Sequence, residues 1–340
     1  MKAKFILLAG LLGVAPMLGG QQAAAPAIAI NATTKGEPPV SHSAIIMSAM
    51  CDGDGNVYSR PFDPQTGMGE LRAPVQEITR EAKPGGRLPA EGQTFFVRDG
   101  SFFLAGGVNH GVVVAKLAPG GSAKAQITLQ PDLFIHVTHL AVFPSGEYLV
   151  VGLAGTTNEK APHLRTPFTA VFAADGRLVK KIYEPEDEDA RQRAEAGDPN
   201  YLRCCASSGN EFVMLNADVT AGSDGNVYLM HGTSPPLIYV ISPAGDVLRK
   251  FRVDPGNPQL TANSIKFYDG RLAVGFGWLG DVPETLIKVV GLKGNSIADY
   301  KVKEDAKDSD PILACYNSEG FTLLPRWAGT KPYLLMAKLP

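Results

Sequence analysis

The side chains best suited to chemistry recur at one position of a repeated pattern. Six short apolar segments each lead into a turn that contains a glycine, and the residue seven places before that glycine is polar in five of them. The polar residues are Ser48, Gln93, His139, Asp218 and Asn263, and the sixth position is Leu313. If the segments surround a common axis, these residues predict either a hydrated polar lining or a ligand site. Asp218, Asn263 and His139 are then the candidate metal ligands, because carboxylate and amide oxygens suit Ca²⁺.

The histidines give weaker signals than this ring. His136 and His139 are three residues apart on one predicted strand, so their side chains should point to opposite faces and not share one ion. His110 and His231 follow predicted second strands, and either is placed to approach His139. A solvent-facing or hydrogen-bonded histidine is the alternative for each. The sequence has no Gly-x-Ser-x-Gly elbow, phosphate loop or dinucleotide fingerprint, so it gives no support for nucleophilic catalysis.

A charged segment at residues 184–209 interrupts the repeated pattern. Its first half, EPEDEDARQRAEAGD, combines charges with good helix formers and predicts a short surface helix. It continues into Tyr201-Leu202-Arg203-Cys204-Cys205. The adjacent cysteines have three alternatives, namely a disulfide with each other, pairing with other cysteines, or free thiols. A quinone or other redox cofactor beside Cys204-Cys205 is a further hypothesis.

Composition and the N-terminus indicate the compartment. The chain has 340 residues and a formal net charge of −2, which gives no basic excess for binding nucleic acid. Residues 1–25 combine two lysines, an apolar run and a final Ala-Ala-Ala, which predicts a secretory signal peptide. The run is shorter than the roughly 20 residues of a membrane span, and no cysteine follows to accept a lipid. We therefore expect an exported protein, periplasmic or secreted, with no membrane span and no lipid anchor.

The repeat itself is marked by its turn glycines. Successive glycines are separated by 45, 46, 79, 45 and 50 residues, and the turns are Asp54-Gly55, Asp99-Gly100, Ser145-Gly146, Asp224-Gly225, Asp269-Gly270 and Glu319-Gly320. Residues 218–254 show the unit most clearly, with apolar runs at 218–221, 227–230, 237–241 and 247–253 parted by turn sequences. A period of about 45 residues with four strands per unit is typical of propeller blades.

These observations predict an all-β, six-bladed β-propeller of four antiparallel strands per blade. The propeller should occupy residues 41–340, with the insertion 184–209 between blades three and four. The last unit offers only three strands. We expect residues 27–31, within a linker at 26–40, to supply its missing outer strand and close the ring. A β-sandwich or two smaller β domains is the alternative.

The connections divide into two sets that should lie on opposite faces of the disc. The turns between strands one and two, and between strands three and four, are short, whereas the other connections are long and variable. Function tends to be carried by irregular loops on a rigid scaffold, so the long-loop face is the expected binding surface. Its candidate residues are His110, Tyr201, Arg203, Cys204, Cys205, His231, Trp278, Arg326 and Trp327.

The blade period and turn chemistry resemble six-bladed propellers of the NHL-repeat and TolB-like superfamily. The polar ring also resembles that of senescence-marker and gluconolactonase-type lactonases, which hold a divalent ion with carboxylate and amide side chains. This ring contains no glutamate, and only Asp218 is acidic. We therefore expect no cofactor, with Ca²⁺ or another divalent ion as the alternative.

Two further cysteines, Cys51 and Cys315, lie near the ends of the first strands of units one and six. These strands become neighbours when the ring closes, so a disulfide would join its ends. Their spacing from the turn glycine differs by one residue, which would point them to opposite faces. One extra turn residue after Cys315 would restore the pairing, and the sequence leaves both alternatives open.

Two function classes follow from these patterns. The first is a non-catalytic binding module that recognises a protein, a peptide or a glycan through the long-loop face. The second is a metal-dependent hydrolase or lyase, similar to the lactonases, with its site in the central channel.

Overall fold

The chain folds as a series of small β-sheets in the computed structural model. The structure describes residues 26–36, 44–62, 75–88, 92, 94–108, 111–118, 121–129, 135–155, 165–182, 218–232, 235–278, 285–303, 310–328 and 333–340. The predicted signal peptide and the insertion at 184–209 lie outside these ranges.

The described residues form twenty-five strands. In chain order they are β1 (Ile28–Gly36), β2 (Ala44–Cys51), β3 (Val57–Phe62), β4 (Gln76–Ile78), β5 (Pro84–Arg87), β6 (Thr94–Arg98), β7 (Ser101–Val108), β8 (Gly111–Leu117), β9 (Ala123–Leu129), β10 (Ile135–Val142), β11 (Tyr148–Gly155), β12 (Arg165–Phe172), β13 (Leu178–Ile182), β14 (Asp218–Ala221), β15 (Val227–His231), β16 (Leu237–Ile241), β17 (Val247–Arg252), β18 (Leu260–Tyr268), β19 (Arg271–Trp278), β20 (Thr285–Gly291), β21 (Ser296–Lys303), β22 (Ile312–Asn317), β23 (Gly320–Leu324), β24 (Trp327–Ala328) and β25 (Tyr333–Lys338).

The strands pair mostly with their neighbours in sequence. Three sheets are four-stranded antiparallel meanders, β6 to β9, β10 to β13 and β14 to β17. A fourth sheet has the order β24-β2-β3-β4-β5. The fifth has the order β18-β19-β20-β21-β1-β25-β23-β22, in which β1 joins two antiparallel groups. The unit predicted at residues 218–254 is confirmed by the third meander, whose strand bounds differ from the prediction by one residue at two ends.

An N-terminal strand occupies the outer position beside the last group, as expected, but the residues that fill it are not the predicted ones. Residues 32–36 of β1 pair antiparallel with β25. The strand is longer than the predicted 27–31, because Thr33 and Thr34 continue the extended conformation. Residues 28–31 instead pair in parallel with β21. One strand therefore bonds the ends of two neighbouring groups.

The strand that comes first in the sequence of each antiparallel group packs beside the first strand of the next group. Together these first strands form a cycle. β2 contacts β6, β6 contacts β10, β10 contacts β14, β14 contacts β18, β18 contacts β22, and β22 contacts β2. Apolar side chains fill the layers between neighbouring sheets. For example, the rings of Tyr58 and Phe102 lie 4.6 Å apart, and those of Tyr228 and Phe267 lie 5.9 Å apart. The architecture is therefore an all-β, propeller-like arrangement of small antiparallel sheets.

The five-residue sequence shared by residues 54–58 and 224–228 stabilises a turn. In the second copy the tyrosine hydroxyl donates a hydrogen bond to Asp224 at 2.7 Å, and the asparagine amide donates to the same oxygen at 2.9 Å. In the first copy both groups donate instead to Asp52. The glycines of the two copies have φ angles of 84° and 90°, a conformation that favours glycine. The repeated sequence is thus explained by turn formation.

The turns between third and fourth strands pack against the preceding sheet. A Cβ atom on Gly176, Gly245 or Gly294 would overlap with the outer strand β9, β13 or β17, respectively. These glycines therefore permit close approach between adjacent sheets as well as a left-handed turn.

Cys51 and Cys315 form a disulfide, with their Cα atoms 5.5 Å apart. Cys51 pairs with Val57, six residues ahead, whereas Cys315 pairs with Thr322, seven residues ahead. The segment between Cys315 and its cross-strand partner is therefore one residue longer than the segment between Cys51 and its partner, which is the offset that the sequence required for the two cysteines to match. The bond joins β2 to β22 across a sequence separation of 264 residues.

No helix long and apolar enough to cross a membrane occurs in the part of the chain that the structure describes.

Candidate functional site

Asp218, the acidic member of the predicted ring, is held in a buried ion pair. Its Oδ2 atom lies 2.6 Å from Lys266 Nζ, and the two side chains are 8% and 9% exposed. The Ile265 amide donates to the same oxygen at 3.0 Å, and the Val219 amide donates to Oδ1 at 2.8 Å. The carboxylate is therefore neutralised and hydrogen-bonded, and it joins β14 to β18.

Asn263 joins the next pair of first strands. Its Nδ2 donates to the Pro311 carbonyl at 3.3 Å, and its Oδ1 accepts from the Ser264 hydroxyl at 2.8 Å. The Ser264 hydroxyl accepts in turn from the Leu313 amide at 3.2 Å. Asn263 and Ser264 thus bond β18 to β22 and the residue before it, whereas Lys266 bonds β18 to Asp218 on β14.

His139 is buried in β10, and its Nδ1 lies 3.1 Å from the hydroxyl of the adjacent Thr138. The hydrogen bonds of His139, Asp218 and Asn263 are thus made at different places around the ring. Within the described ranges, no three His, Cys, Asp or Glu side chains form a group that could hold a metal ion. The metal site proposed from the sequence stays a prediction, and a cation at Asp218 would have to compete with Lys266.

Counting back seven residues from each turn glycine does not reach equivalent positions in all the first strands, because several of these strands contain β-bulges. The pairing shifts at Thr138 in β10, at Asn263 in β18 and at Ala314 in β22, and β2 is irregular beside the half-buried Ser48. The bulged residue comparable with Asn263 is therefore Thr138 and not His139. An extra residue in one strand reverses the facing of every position beyond it.

A second polar cluster lies at the end of the ring from which the long loops leave. Asp310 lies two residues before β22, and its Oδ2 lies 2.9 Å from Nε of Arg326, which lies two residues after β23. A Cβ atom on Gly277 would overlap with Asp310 Oδ1 and would lie 3.1 Å from Asn263 Nδ2. The cluster of Asn263, Gly277, Asp310 and Arg326, called the long-loop cluster below, therefore brings together one residue of the predicted ring and one of the predicted loop face.

Asp310 is the most strained and least satisfied member of this cluster. Its φ angle is 32°, in the left-handed region that non-glycine residues rarely adopt. Its Oδ1 atom is buried and has no hydrogen-bond donor among the described residues. Burial raises the pKa of the Asp310 carboxyl, and the positive charge of Arg326 opposes this shift in part. A carboxyl group in this state can accept a hydrogen bond from a ligand or, when protonated, donate one.

Asp310 and Lys266 were not identified as site residues from the sequence, although the sequence around each contains a feature that could have indicated them. Lys266 is the only charged residue of the apolar segment 260–268, which indicates a buried partner. Asp310 stands before Pro311 and a run of apolar residues, at the entry to a first strand.

The other predicted loop-face residues are only partly described. His231 is buried at the end of β15. The backbones of Trp278 and Trp327 lie in β19 and β24. The remaining candidates lie outside the described residues, and they are Gln93 of the ring with His110, Tyr201, Arg203, Cys204 and Cys205.

Comparison with known proteins found similarity in structure but no match in sequence. No protein-family model and no curated protein matches the sequence. Among solved structures, virginiamycin B lyase from Staphylococcus aureus aligns with 10% identity and a TM-score of 0.48, covering 91% of this chain and 100% of that one.

Two other β-propeller structures align to a similar extent. A protein assigned as a gluconolactonase aligns with 11% identity and a TM-score of 0.48, covering 90% of this chain and 92% of its own. YCF48 bound to a D1 peptide aligns with 11% identity and a TM-score of 0.45, covering 91% and 96%. Such slight likenesses carry no inference about function, and the architecture rests on the sheets described above.

Proposed function

We propose that this protein is an exported, six-bladed β-propeller, similar to the NHL-repeat and TolB-like propellers, that acts as a binding module for a protein, peptide or glycan. The partner binds at the long-loop face and contacts the long-loop cluster. The observation that carries this proposal is the buried Asp310 Oδ1, which has no hydrogen-bond donor among the described residues. An unpaired buried acceptor costs free energy that a bound donor would recover.

The chemistry of the cluster favours a partner rich in hydroxyl or amide groups. Asp310 and Arg326 are 25% and 24% exposed, so the pair is partly accessible from the loop side. A carboxylate beside a guanidinium offers an acceptor and several donors in a fixed geometry. Sugar hydroxyls and peptide amides complement such a pair.

Two observations support the six-unit ring and the export. The first strands of six groups contact one another in a cycle, and the Cys51–Cys315 disulfide bridges the first and last of them. Residues 1–25 have the pattern of a signal peptide. Expression of the full chain, followed by fractionation and N-terminal sequencing, should give an exported product that starts near residue 26.

The binding proposal is tested with peptide and glycan arrays probed with the exported protein, followed by calorimetry on the best ligand. We expect Asp310→Asn and Arg326→Met each to weaken binding by about tenfold to a hundredfold, the usual effect of losing a hydrogen bond to a charged group. The matched control is Glu319→Gln, which removes the exposed ion pair with Arg80 on the opposite face. Binding that Asp310→Asn and Glu319→Gln change equally would contradict a site at the long-loop cluster.

A further inference from the structure

A cavity of about 490 Å³ lies on the ring axis at the end opposite the long-loop cluster. Every one of the six first strands, or the turn that follows it, contributes to its wall, and representative residues are Met50, Phe96, Pro144, Val219, Phe267 and Tyr316. Asp99, Gly222 and Ser223, from the short turns between first and second strands, form its mouth. This face was not the one expected to bind ligands, because its turns are short.

The wall combines apolar and aromatic side chains with an almost equal share of polar surface. Phe96 and Val219 are almost fully buried, and Phe267 packs by its ring against Tyr228 of the neighbouring sheet. These side chains are held in place by the layers between the sheets, so the cavity is preformed. Ligand cavities of small molecules usually measure about 300–1,000 Å³ and combine apolar walls with a few polar groups.

The charged residues of the described wall are already compensated. Lys266 is neutralised by Asp218 at 2.6 Å. Arg98 pairs through Nε with Asp99 at 2.9 Å and donates from Nη1 to the Val142 and Phe143 carbonyls. No further charged side chain belongs to the described wall. A charged ligand would therefore lose its hydration without gaining a counter-charge, which is costly.

We propose that this cavity is a second ligand site, separate from the long-loop cluster, that takes one small, uncharged organic molecule with both apolar and polar groups. The inference does not rest on the proposed function, because it uses different residues at the other end of the ring. The site disfavours charged ligands because the charged side chains of its wall are already paired with other protein groups.

Two fluorescent probes with the same aromatic skeleton test the proposal directly. N-phenyl-1-naphthylamine is neutral, and 8-anilino-1-naphthalenesulfonate carries one negative charge. We expect saturable binding of one neutral probe per chain, and binding of the anionic probe that is weaker by about tenfold or more. Equal or tighter binding of the anionic probe, or no saturable binding of the neutral one, would overturn the proposal.

Two substitutions locate the probe and test the role of charge. Ser223→Trp, at the exposed mouth, should obstruct entry and weaken neutral-probe binding by at least about tenfold. Gln126→Trp, on the exposed outer strand β9, is the matched control and should have no effect. Equal affinities in these two variants, both with unchanged circular dichroism, would place the probe elsewhere and refute the site.

Asp218→Asn tests whether the ion pair with Lys266 is what disfavours an anionic ligand. It frees the Lys266 ammonium in the wall, so the affinity for the anionic probe should rise by about tenfold while that for the neutral probe changes little. An unchanged ratio of the two affinities in folded Asp218→Asn protein would contradict the explanation by internal ion pairs. Where this variant does not fold, Ser223→Trp decides the proposal.

Discussion

Breaking the ion pair between Asp218 and Lys266 should destabilise the protein far more than breaking an exposed pair of the same length. The two side chains are only 8% and 9% exposed, and Nζ lies 2.6 Å from Oδ2. Removing one member leaves the other charge buried without compensation, which costs about 3–5 kcal/mol. Asp218→Asn retains an oxygen for the two backbone amides, and Lys266→Met retains the apolar stem, so each removes mainly the charge.

We expect each single substitution to lower the free energy of unfolding by about 3 kcal/mol, and the double substitution by about 3 kcal/mol instead of about 6. The coupling energy of the cycle is then about 3 kcal/mol. Urea unfolding with the disulfide intact, followed by circular dichroism and by tryptophan fluorescence, measures these values when the two transitions coincide.

The exposed pair Lys180–Asp246 is the matched control. Its Nζ–Oδ1 distance is also 2.6 Å, but its side chains are 50% and 56% exposed. Solvent screening limits the coupling in such a pair to below about 1 kcal/mol. If the buried cycle gave a coupling energy no larger than that of the exposed cycle, the reasoning from burial would be refuted.

Three other perturbations test separate parts of the structure. Replacing Cys51 and Cys315 by alanine opens a loop of 264 residues and should cost about 5–6 kcal/mol on the chain-entropy model, seen as a lower urea midpoint. A midpoint that reductant leaves unchanged in the wild type would argue against the bond. Gly176→Ala should destabilise more than Gly225→Ala, although their φ angles are 89° and 90°, because only the Cβ at 176 overlaps with the preceding sheet; equal thermal midpoints would contradict this contact. Because the folded pKa of Asp310 is raised, its stabilising contribution is full below the unfolded pKa and is lost as the pH rises through the folded value. The stability of the wild type should therefore fall relative to Asp310→Asn as the pH rises above about 4, the ordinary pKa of an aspartate, and a difference that grows in the opposite direction would refute the sign.

The metal hypothesis has a simple test of its own. Because Lys266 already compensates Asp218, we expect elemental analysis of the purified protein to find no stoichiometric divalent ion. Stoichiometric Ca²⁺ or Zn²⁺ that is lost in Asp218→Ala would favour the hydrolase or lyase alternative.

The arrangement of small antiparallel sheets was predictable because its signals are local. Apolar alternation and turn glycines act within a few residues, so the strands at 218–252 and the turn at Asp224 follow from the residues that compose them. The extra strand before the first unit was also predictable, since an unpaired sheet edge needs a partner. Which of its residues complete the last group was not predictable, because residues 28–31 pair with β21 and residues 32–36 pair with β25.

The candidate sites depend on partners far apart in the chain. Asp218 meets Lys266 across 48 residues, and the bulges that aim the side chains of β10, β18 and β22 shift the register in ways that glycine spacing does not record. Asp310 approaches Gly277 and Arg326 only after two groups of strands have packed together.

The sequence by itself determined the repeated strands, the turns between them and the polarity of the first strands, because these depend on neighbours along the chain. The tertiary structure alone decided which charges neutralise one another, which acceptor is left unpaired and which end of the ring encloses a cavity. The physical reason is that burial and charge pairing depend on distances in space, and these are set only when the sheets pack around a common axis.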